Sequence, residues 1–280
     1  MTALSREVVL GRLKQLPALP SAVSTLLLSF ADDDVDVDRV AGQIAKDQGL
    51  AARVLRVANS SFYGLPAKVG SIHEAVVMLG FRAVRSLVLA VGINGVFRVD
   101  HCPGFDLQAY QRHGVGTGLA ARRLAQLVGR NADLAFTAGL LHDIGQLILA
   151  ANFPGPYAAA LAYRQQHDCF LVVAERDVLA IDHGEVGGML ADTWRFPAFL
   201  REAVAEHHHV AAATADSLAN IVHLADVTAH ALGLSRSPDE MVMPMDPVGW
   251  QRMGLSWADY GGVLAAIEQE VEATCSALMG

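Results

Sequence analysis

The chain has 280 residues, a formal net charge of −8 and 52% hydrophobic residues. This length allows one large domain or two modest ones with a buried core. The negative charge argues against general nucleic-acid binding, which requires a basic surface. No apolar run reaches the roughly 18 residues that a membrane span needs, and residues 1–7 do not resemble a signal peptide. Cys102, Cys169 and Cys275 are odd in number and far apart, which predicts reduced thiols in a cytoplasmic protein.

The first hundred residues are predicted to form a lobe of short helices, because no stretch shows sustained alternation of apolar and polar residues. Asp32-Asp33-Asp34 predicts a solvated turn. Ser71 and Glu74 have the spacing of a capping box and predict the start of a helix. Apolar periodicity places the helices of this lobe at about 4–15, 21–31, 37–46, 50–59, 72–79 and 81–98.

Residues 101–104, His-Cys-Pro-Gly, carry turn residues and predict a linker. They divide the chain into an N-terminal helical lobe at 1–100 and a second helical lobe at 101–233. Residues 234–280 are predicted to form an irregular excursion followed by a C-terminal helix. The later helices are predicted at about 106–128, 132–150, 156–167, 170–180, 184–193, 198–208, 214–233 and 256–279.

The sequence His142-Asp143 lies within an apolar stretch, 137–150, that has helical spacing. A buried carboxylate needs a charge partner or a metal, and a buried imidazole needs a hydrogen bond. An isolated His-Asp pair is more often a surface feature, so this pair indicates a site only together with other candidates.

Further candidates recur on predicted helices, and each of them alone is explained more simply as a structural residue. They are His113, His183, His207, His208 and Asp226. Imidazole and carboxylate ligands projected from several helices are how helical proteins build metal centres. Together with the pair at 142–143 they predict one or two divalent transition-metal ions, namely Fe, Mn, Zn or Ni. Two ions would share Asp143 and could activate a water molecule for attack on phosphorus.

Four segments of the first lobe resemble the HDOD signature: 16–20, 47–50, 53–60 and 71–80. The order of the His and Asp residues is similar to that of the HD superfamily of metal-dependent phosphohydrolases. The resemblance covers about residues 10–232. It implies an all-α, multi-helical bundle of two packed helical lobes. It also implies a cytoplasmic regulatory module of bacterial signal transduction, whose partners are other signalling proteins or domains.

The HD-GYP phosphodiesterases, which cleave cyclic di-GMP, are catalytic relatives with a similar ligand order. The resemblance places His113 at their first His, 142–143 at the HD pair, and His183, 207–208 and Asp226 at the remaining ligands. Three departures argue against cyclic di-GMP cleavage and against a third ion. Gln146 replaces a lysine that contacts phosphate, Ala109 replaces an acid, and 209–212 replace an acid-rich stretch and Gly-Tyr-Pro.

Three functional hypotheses remain from the sequence. The first is a signal-transduction module that retains the metal site and acts mainly by binding a partner or a phosphate-containing small molecule. The second is an active phosphohydrolase, with Asp143 bridging two ions and Gln146 offering a neutral hydrogen bond to phosphate. The third is a scaffold without metal, whose histidines form a polar network in which every member must be satisfied. None of the three predicts a nucleic-acid or membrane partner.

Overall fold

Regular secondary structure is entirely helical in the residues that this computed structural model describes, 3–30, 36–60, 63–210 and 217–279. The predicted turn at 32–34 lies outside these ranges. Residues 211–212, the second half of the 209–212 stretch that differs from HD-GYP proteins, also lie outside them. The all-α prediction is confirmed. The helices of the first hundred residues are α1 Arg6–Leu13, α2 Ser21–Leu28, α3 Val37–Lys46, α4 Gln48–Ala58, α5 Ile72–Leu79 and α6 Phe81–Asn94.

Three polar side chains make hydrogen bonds in the connection between α4 and α5. The amide of Asn59 donates to the Val69 carbonyl over 2.8 Å, and its oxygen accepts from the Val69 N–H over 2.7 Å. Ser71 caps α5 by accepting from the Glu74 N–H. The Glu74 carboxylate accepts from the Gly70 N–H instead of the Ser71 N–H. The predicted capping box is therefore shifted by one residue on its second arm.

The remainder of the chain contributes the helices that surround the predicted ligands. They are α7 Leu107–Leu127, α8 Ala132–Leu141, α9 Ile144–Asn152, α10 Pro154–His167, α11 Leu171–Leu179, α12 His183–Thr193, α13 Ala198–Glu206, α14 Leu218–Ala231, α15 Pro247–Met253 and α16 Trp257–Met279. The prediction of an irregular excursion at 234–255 missed α15. Asp246 caps this helix and Pro247 occupies its first position, which is a recognisable start signal.

The predicted helix at 132–150 is wrong in one respect, because it breaks at the His-Asp pair. Asp143 has φ −92° and ψ 15° and separates α8 from α9. The His142 ring donates from Nδ1 to the Gly139 carbonyl over 2.7 Å. In a continuous helix that carbonyl would accept from the Asp143 N–H. The imidazole therefore competes with the backbone for this acceptor and favours the break.

Residues Ala132–Asn152 are apolar and long enough to cross a membrane by composition alone, but 83% of the apolar window is buried inside the protein. These residues belong to one contiguous apolar cluster that includes side chains from both predicted lobes. The predicted C-terminal helix is α16, and its residues Val263, Ile267 and Val271 are buried in the same cluster. The boundary between lobes at 100–101 stays a prediction.

Candidate metal centre

The seven predicted ligands converge at one place in the core. They come from α7, from the break between α8 and α9, from the first residue of α12, from the two residues after α13, and from α14. Six are buried and His208 is half-buried. In chain order they are His113, His142, Asp143, His183, His207, His208 and Asp226.

The first group of ligand atoms comprises two imidazoles and two carboxylates. His113 Nε2 lies 2.9 Å from Asp226 Oδ1 and 3.3 Å from His142 Nε2. Asp143 Oδ2 lies 3.6 Å from His113 Nε2 and 3.4 Å from His142 Nε2. Four donor atoms at these separations could surround one ion, with a small adjustment on binding.

The second group uses the other oxygen of the same carboxylate. Asp143 Oδ1 lies 3.2 Å from His183 Nε2 and 3.6 Å from His207 Nε2. His208 Nε2 completes the group at 2.8 Å from His183 Nε2. Asp143 therefore stands between two sets of imidazoles, as a carboxylate that bridges two ions does.

The imidazole orientations suit a cation between the groups. The Nδ1–H of His142 donates to the Gly139 carbonyl, and the Nδ1–H of His207 donates to the Val204 carbonyl over 3.0 Å. When these two rings are neutral, Nε2 of each carries a lone pair. Both Nε2 atoms face the Asp143 carboxylate. His207 Nε2 is buried and has no hydrogen-bond partner among the described residues. A bound metal ion satisfies such an atom, whereas hydrogen bonding within the network leaves it unpaired.

Burial and mutual charge set the protonation of the cluster. Burial lowers the pKa of His207 and of His208, and neighbouring imidazoles lower them further. Burial opposes the charge of Asp143, yet His142 and His183 hold its pKa well below the ordinary range. Burial opposes the charge of His142 and His183, but neighbouring carboxylates raise the pKa of both rings, so a metal ion would displace protons from them on binding. The residues present therefore fit a centre with nitrogen and oxygen ligands.

A family model for the HDOD domain matches residues 16–210, which is most of the chain. The chain belongs to the HDOD family. The resemblance predicted from the signature segments is thus confirmed. The matched segment of the HDOD domain ends before α14, so the Asp226 ligand is contributed by a helix beyond it.

Solved structures share the fold over nearly their whole length. An HDOD domain protein of unknown function from Geobacter sulfurreducens has a TM-score of 0.78 at 24% identity, with 98% of each chain covered. A candidate phosphohydrolase from Shewanella amazonensis SB2B has a TM-score of 0.74 at 29% identity, covering 96% of this chain and 97% of its own. An uncharacterised protein of Treponema pallidum is 25% identical over 206 residues, 72% of this chain. The HDOD chain spans 39% of that relative's length.

Glu175 contacts the predicted ligand His183 of this HDOD protein on the ring nitrogen that faces away from Asp143. Glu175 was not among the residues predicted from the sequence. Its carboxylate Oε2 accepts from His183 Nδ1 over 2.6 Å and from the His183 N–H over 2.9 Å. Burial raises the pKa of Glu175, and His183 partly offsets that rise. Burial likewise opposes the charge of His183, but Glu175 and Asp143 hold its pKa well above the ordinary value. Glu175 stands next to Arg176 and Asp177 in α11, so the sequence alone does not distinguish it from a solvated charge.

Replacing Glu175 with glutamine is expected to weaken metal binding at the second group by about 10- to 100-fold, as for other residues that orient a metal-binding histidine. The amide keeps the shape but loses the charge that orients His183. Titration of the metal-free variant with Mn²⁺ or Zn²⁺ by calorimetry measures the change. Glu268→Gln on the exposed face of α16 is the matched control. Equal affinities in all three proteins would contradict this role.

The Gln146 side chain joins Asp143 to Tyr157. Its Nε2 donates to Asp143 Oδ2 over 2.7 Å, and its Oε1 accepts from the Tyr157 hydroxyl over 3.4 Å. Nε2 carries a second N–H, so this contact does not preclude the predicted hydrogen bond to phosphate. Gln146 therefore holds the bridging carboxylate in the HDOD structure as it stands.

His230 and Glu240 form an ion pair beside the centre, and neither residue was among the predicted ligands. His230 lies one turn after Asp226 on α14, with Nε2 3.3 Å from its Oδ1. The Nδ1 of His230 lies 2.6 Å from Glu240 Oε1. Burial opposes the charge, but Asp226 and Glu240 raise the pKa of His230 to about 10. The i, i+4 spacing of Asp226 and His230 was the available sequence signal.

An open cavity leads from the surface to the ligands of the HDOD centre. Its inner end carries His113, Asp143, His183 and Asp226, and Ala109 also lines it. An acid is absent at 109, as the departure from HD-GYP proteins predicted. The outer wall is formed by lining residues that are at least partly exposed, and these include Phe105, Asp106, Arg164, Phe170, Asp239, Glu240, Met241 and Met243. A small molecule could therefore approach the centre from solvent.

Proposed function

We propose that this protein is a metal-dependent phosphohydrolase with a two-ion centre. His113, His142, Asp143 and Asp226 hold one ion, and Asp143, His183, His207 and His208 hold the other. The observation that carries the proposal is the placement of Asp143, whose two oxygens face separate sets of imidazoles at 3.2–3.6 Å. Imidazole-rich donor sets favour Fe, Mn, Zn or Ni over Mg.

Two bound divalent ions would supply activation of water and neutralisation of phosphate charge. Side chains of this protein hold the residues that would bind the two ions. Asp143 is shared between the groups and is held by Gln146. Glu175 fixes the ring of His183.

The similarity to the candidate phosphohydrolase from Shewanella amazonensis SB2B supports this proposal, since that chain is 29% identical over nearly its full length. Family membership supports a regulatory context. We place the activity in bacterial signal transduction in the cytoplasm, with signalling proteins or domains as partners. The substrate is then a small phosphoester that such a pathway produces or consumes.

Hydrolysis of bis-p-nitrophenyl phosphate tests the proposal directly. Metal-free protein is loaded with Fe²⁺, Mn²⁺, Zn²⁺ or Ni²⁺ and the release of p-nitrophenolate is followed. We expect turnover with at least one metal, and loss of turnover in a folded His207→Ala variant. Absence of turnover with every metal, in protein shown to contain two equivalents, would contradict the proposal.

A second candidate is a signalling module that binds a phosphorylated ligand at the metal centre without turning it over. Gln146 favours it, because a neutral amide stands where HD-GYP phosphodiesterases have a lysine and because that amide is engaged with Asp143. This alternative expects metal and phosphate binding but no release of p-nitrophenolate.

A further inference from the structure

The outer wall of the cavity carries more carboxylates than cations. Asp106, Asp239 and Glu240 line this wall, in addition to the two carboxylates of the metal centre. Among the described residues, Arg164 is the one Lys or Arg side chain that lines the cavity. A site for polyphosphates or for several phosphate groups requires the opposite balance, because each additional negative charge needs its own cationic or hydrogen-bonding partner.

Hydrogen bonds hold these wall residues in place. The Arg164 guanidinium donates to the Asp239 backbone carbonyl, which leaves the carboxylate of Asp239 available. Gln165 Nε2 donates to Asp239 Oδ2 over 2.9 Å, so one carboxylate oxygen remains without a described hydrogen bond. Glu240 is held by His230 at 2.6 Å. Asp239 therefore keeps one carboxylate oxygen for a ligand, whereas the charge of Glu240 is offset by the cationic His230.

Tyr110 adds an unpaired hydrogen-bond donor beside the metal centre. Its ring lines the cavity, and its hydroxyl is buried without a hydrogen-bond partner among the described residues. Burial raises the pKa of Tyr110, and the charge of Asp143 raises it further. The hydroxyl thus stays protonated, and Tyr110 lines the same cavity as Asp143. An oxygen of a ligand bound there is the partner that this hydroxyl lacks.

Aromatic rings and thioethers make up the rest of the wall. Phe105 packs against Tyr110 with ring centroids 5.7 Å apart, and Phe170, Met241 and Met243 line the same cavity. Faces of aromatic rings attract cations, and quaternary ammonium groups are typical ligands of walls that combine rings with carboxylates. The wall chemistry therefore differs from that of the inner end, where the metal ligands gather.

We propose that the cavity takes a phosphoester with a single phosphate group joined to a cationic, ammonium-bearing alcohol. The phosphate lies at the inner end, where the Tyr110 hydroxyl donates to one of its oxygens. The ammonium group lies against the outer wall, beside Asp239 and the aromatic rings. This inference rests on the proposed metal centre and names the substrate class of that same site.

A pair of isosteric phosphates tests the cation preference. Phosphorylcholine and 3,3-dimethylbutyl phosphate have the same shape, and only the first carries a positive charge. Calorimetry with the Mn²⁺-loaded protein is expected to give at least about tenfold tighter binding of phosphorylcholine at low ionic strength. The preference should fall in Asp239→Asn and persist in Glu268→Gln, which removes a charge outside the cavity. Equal binding of the two phosphates, or binding of neither, would overturn the inference.

Tyr110→Phe tests the phosphate contact separately. Because the hydroxyl has no partner in the unliganded protein, the variant should keep its thermal midpoint. It should bind both phosphates about tenfold more weakly and leave their ratio unchanged. Unchanged affinity for both phosphates would overturn the role of Tyr110.

The binding readout keeps this inference distinct from the proposed hydrolase activity. Preferential binding of phosphorylcholine without turnover of bis-p-nitrophenyl phosphate would sustain the inference and contradict hydrolysis. Turnover without a preference for the cationic ligand would support hydrolysis and contradict the inference.

Discussion

Asp143→Ala is expected to lose both metal ions at once. Asp143 is the one residue whose two oxygens face both groups of ligands, so its removal opens each coordination shell. Elemental analysis of protein purified without chelator or nickel affinity should show metal in the wild type and almost none in the variant. Hydrolysis should fall by roughly a thousandfold or more, since water activation and charge neutralisation are lost together.

Two further variants make this result specific. His208→Ala removes a ligand from the second group only and should retain about half of the metal. Asp192→Ala removes an exposed carboxylate that pairs with Arg201 on the surface and should retain all of it. Retention of full metal content in Asp143→Ala would contradict the bridging role. A wild-type protein that takes up no metal even after reconstitution would favour the scaffold hypothesis.

Gly145→Ala is expected to be among the most destabilising single methyl additions in the chain. Gly145 lies in the first turn of α9, where a Cβ would stand 1.8 Å from the His183 carbonyl oxygen and 2.6 Å from its carbon. Both atoms are backbone, so α9 and α12 must separate to make room. We expect a loss of about 3 kcal/mol or more in the free energy of unfolding.

Urea denaturation followed by circular dichroism measures this loss. Gly262→Ala is the matched control, because Gly262 lies within α16 with nothing within 4 Å of the added Cβ. The free energy of unfolding of the control should rise by about 0.5–1 kcal/mol, because alanine has a better helix propensity than glycine. The prediction fails if Gly145→Ala and the wild type have the same midpoint urea concentration of unfolding. Any surviving folded variant should also bind metal poorly, since His183 would be displaced from Asp143.

The sequence was sufficient to predict the helical fold and which side chains gather in the core. Polar residues that recur in apolar helices need a common partner, and His142, Asp143 and Asp226 were identified on that ground. His183 and His207 were identified from their places at a predicted helix start and a predicted helix end, and the family resemblance added weight to both. Helix periodicity located most elements because each apolar face packs against the shared core.

Features that depend on tertiary contacts could not be predicted in the same way. The break at Asp143 follows from competition between the His142 ring and the backbone for the Gly139 carbonyl, which periodicity does not reveal. Glu175 and Tyr110 read as ordinary members of α11 and α7, because only the packed structure places them beside the ligands. Gln146 was identified, but its contact with Asp143 was not, since that contact depends on side-chain geometry.

The spread of the ligands along the chain has a consequence for biosynthesis. His113 precedes Asp226 by more than a hundred residues, and four other helices supply ligands or flank them in between. During translation the first ion cannot be fully enclosed until α14 has left the ribosome and docked against α7. Metal uptake should therefore occur late and report that the helices have assembled. A nascent chain halted at residue 210 would carry six of the seven ligands and still lack the carboxylate nearest to His113.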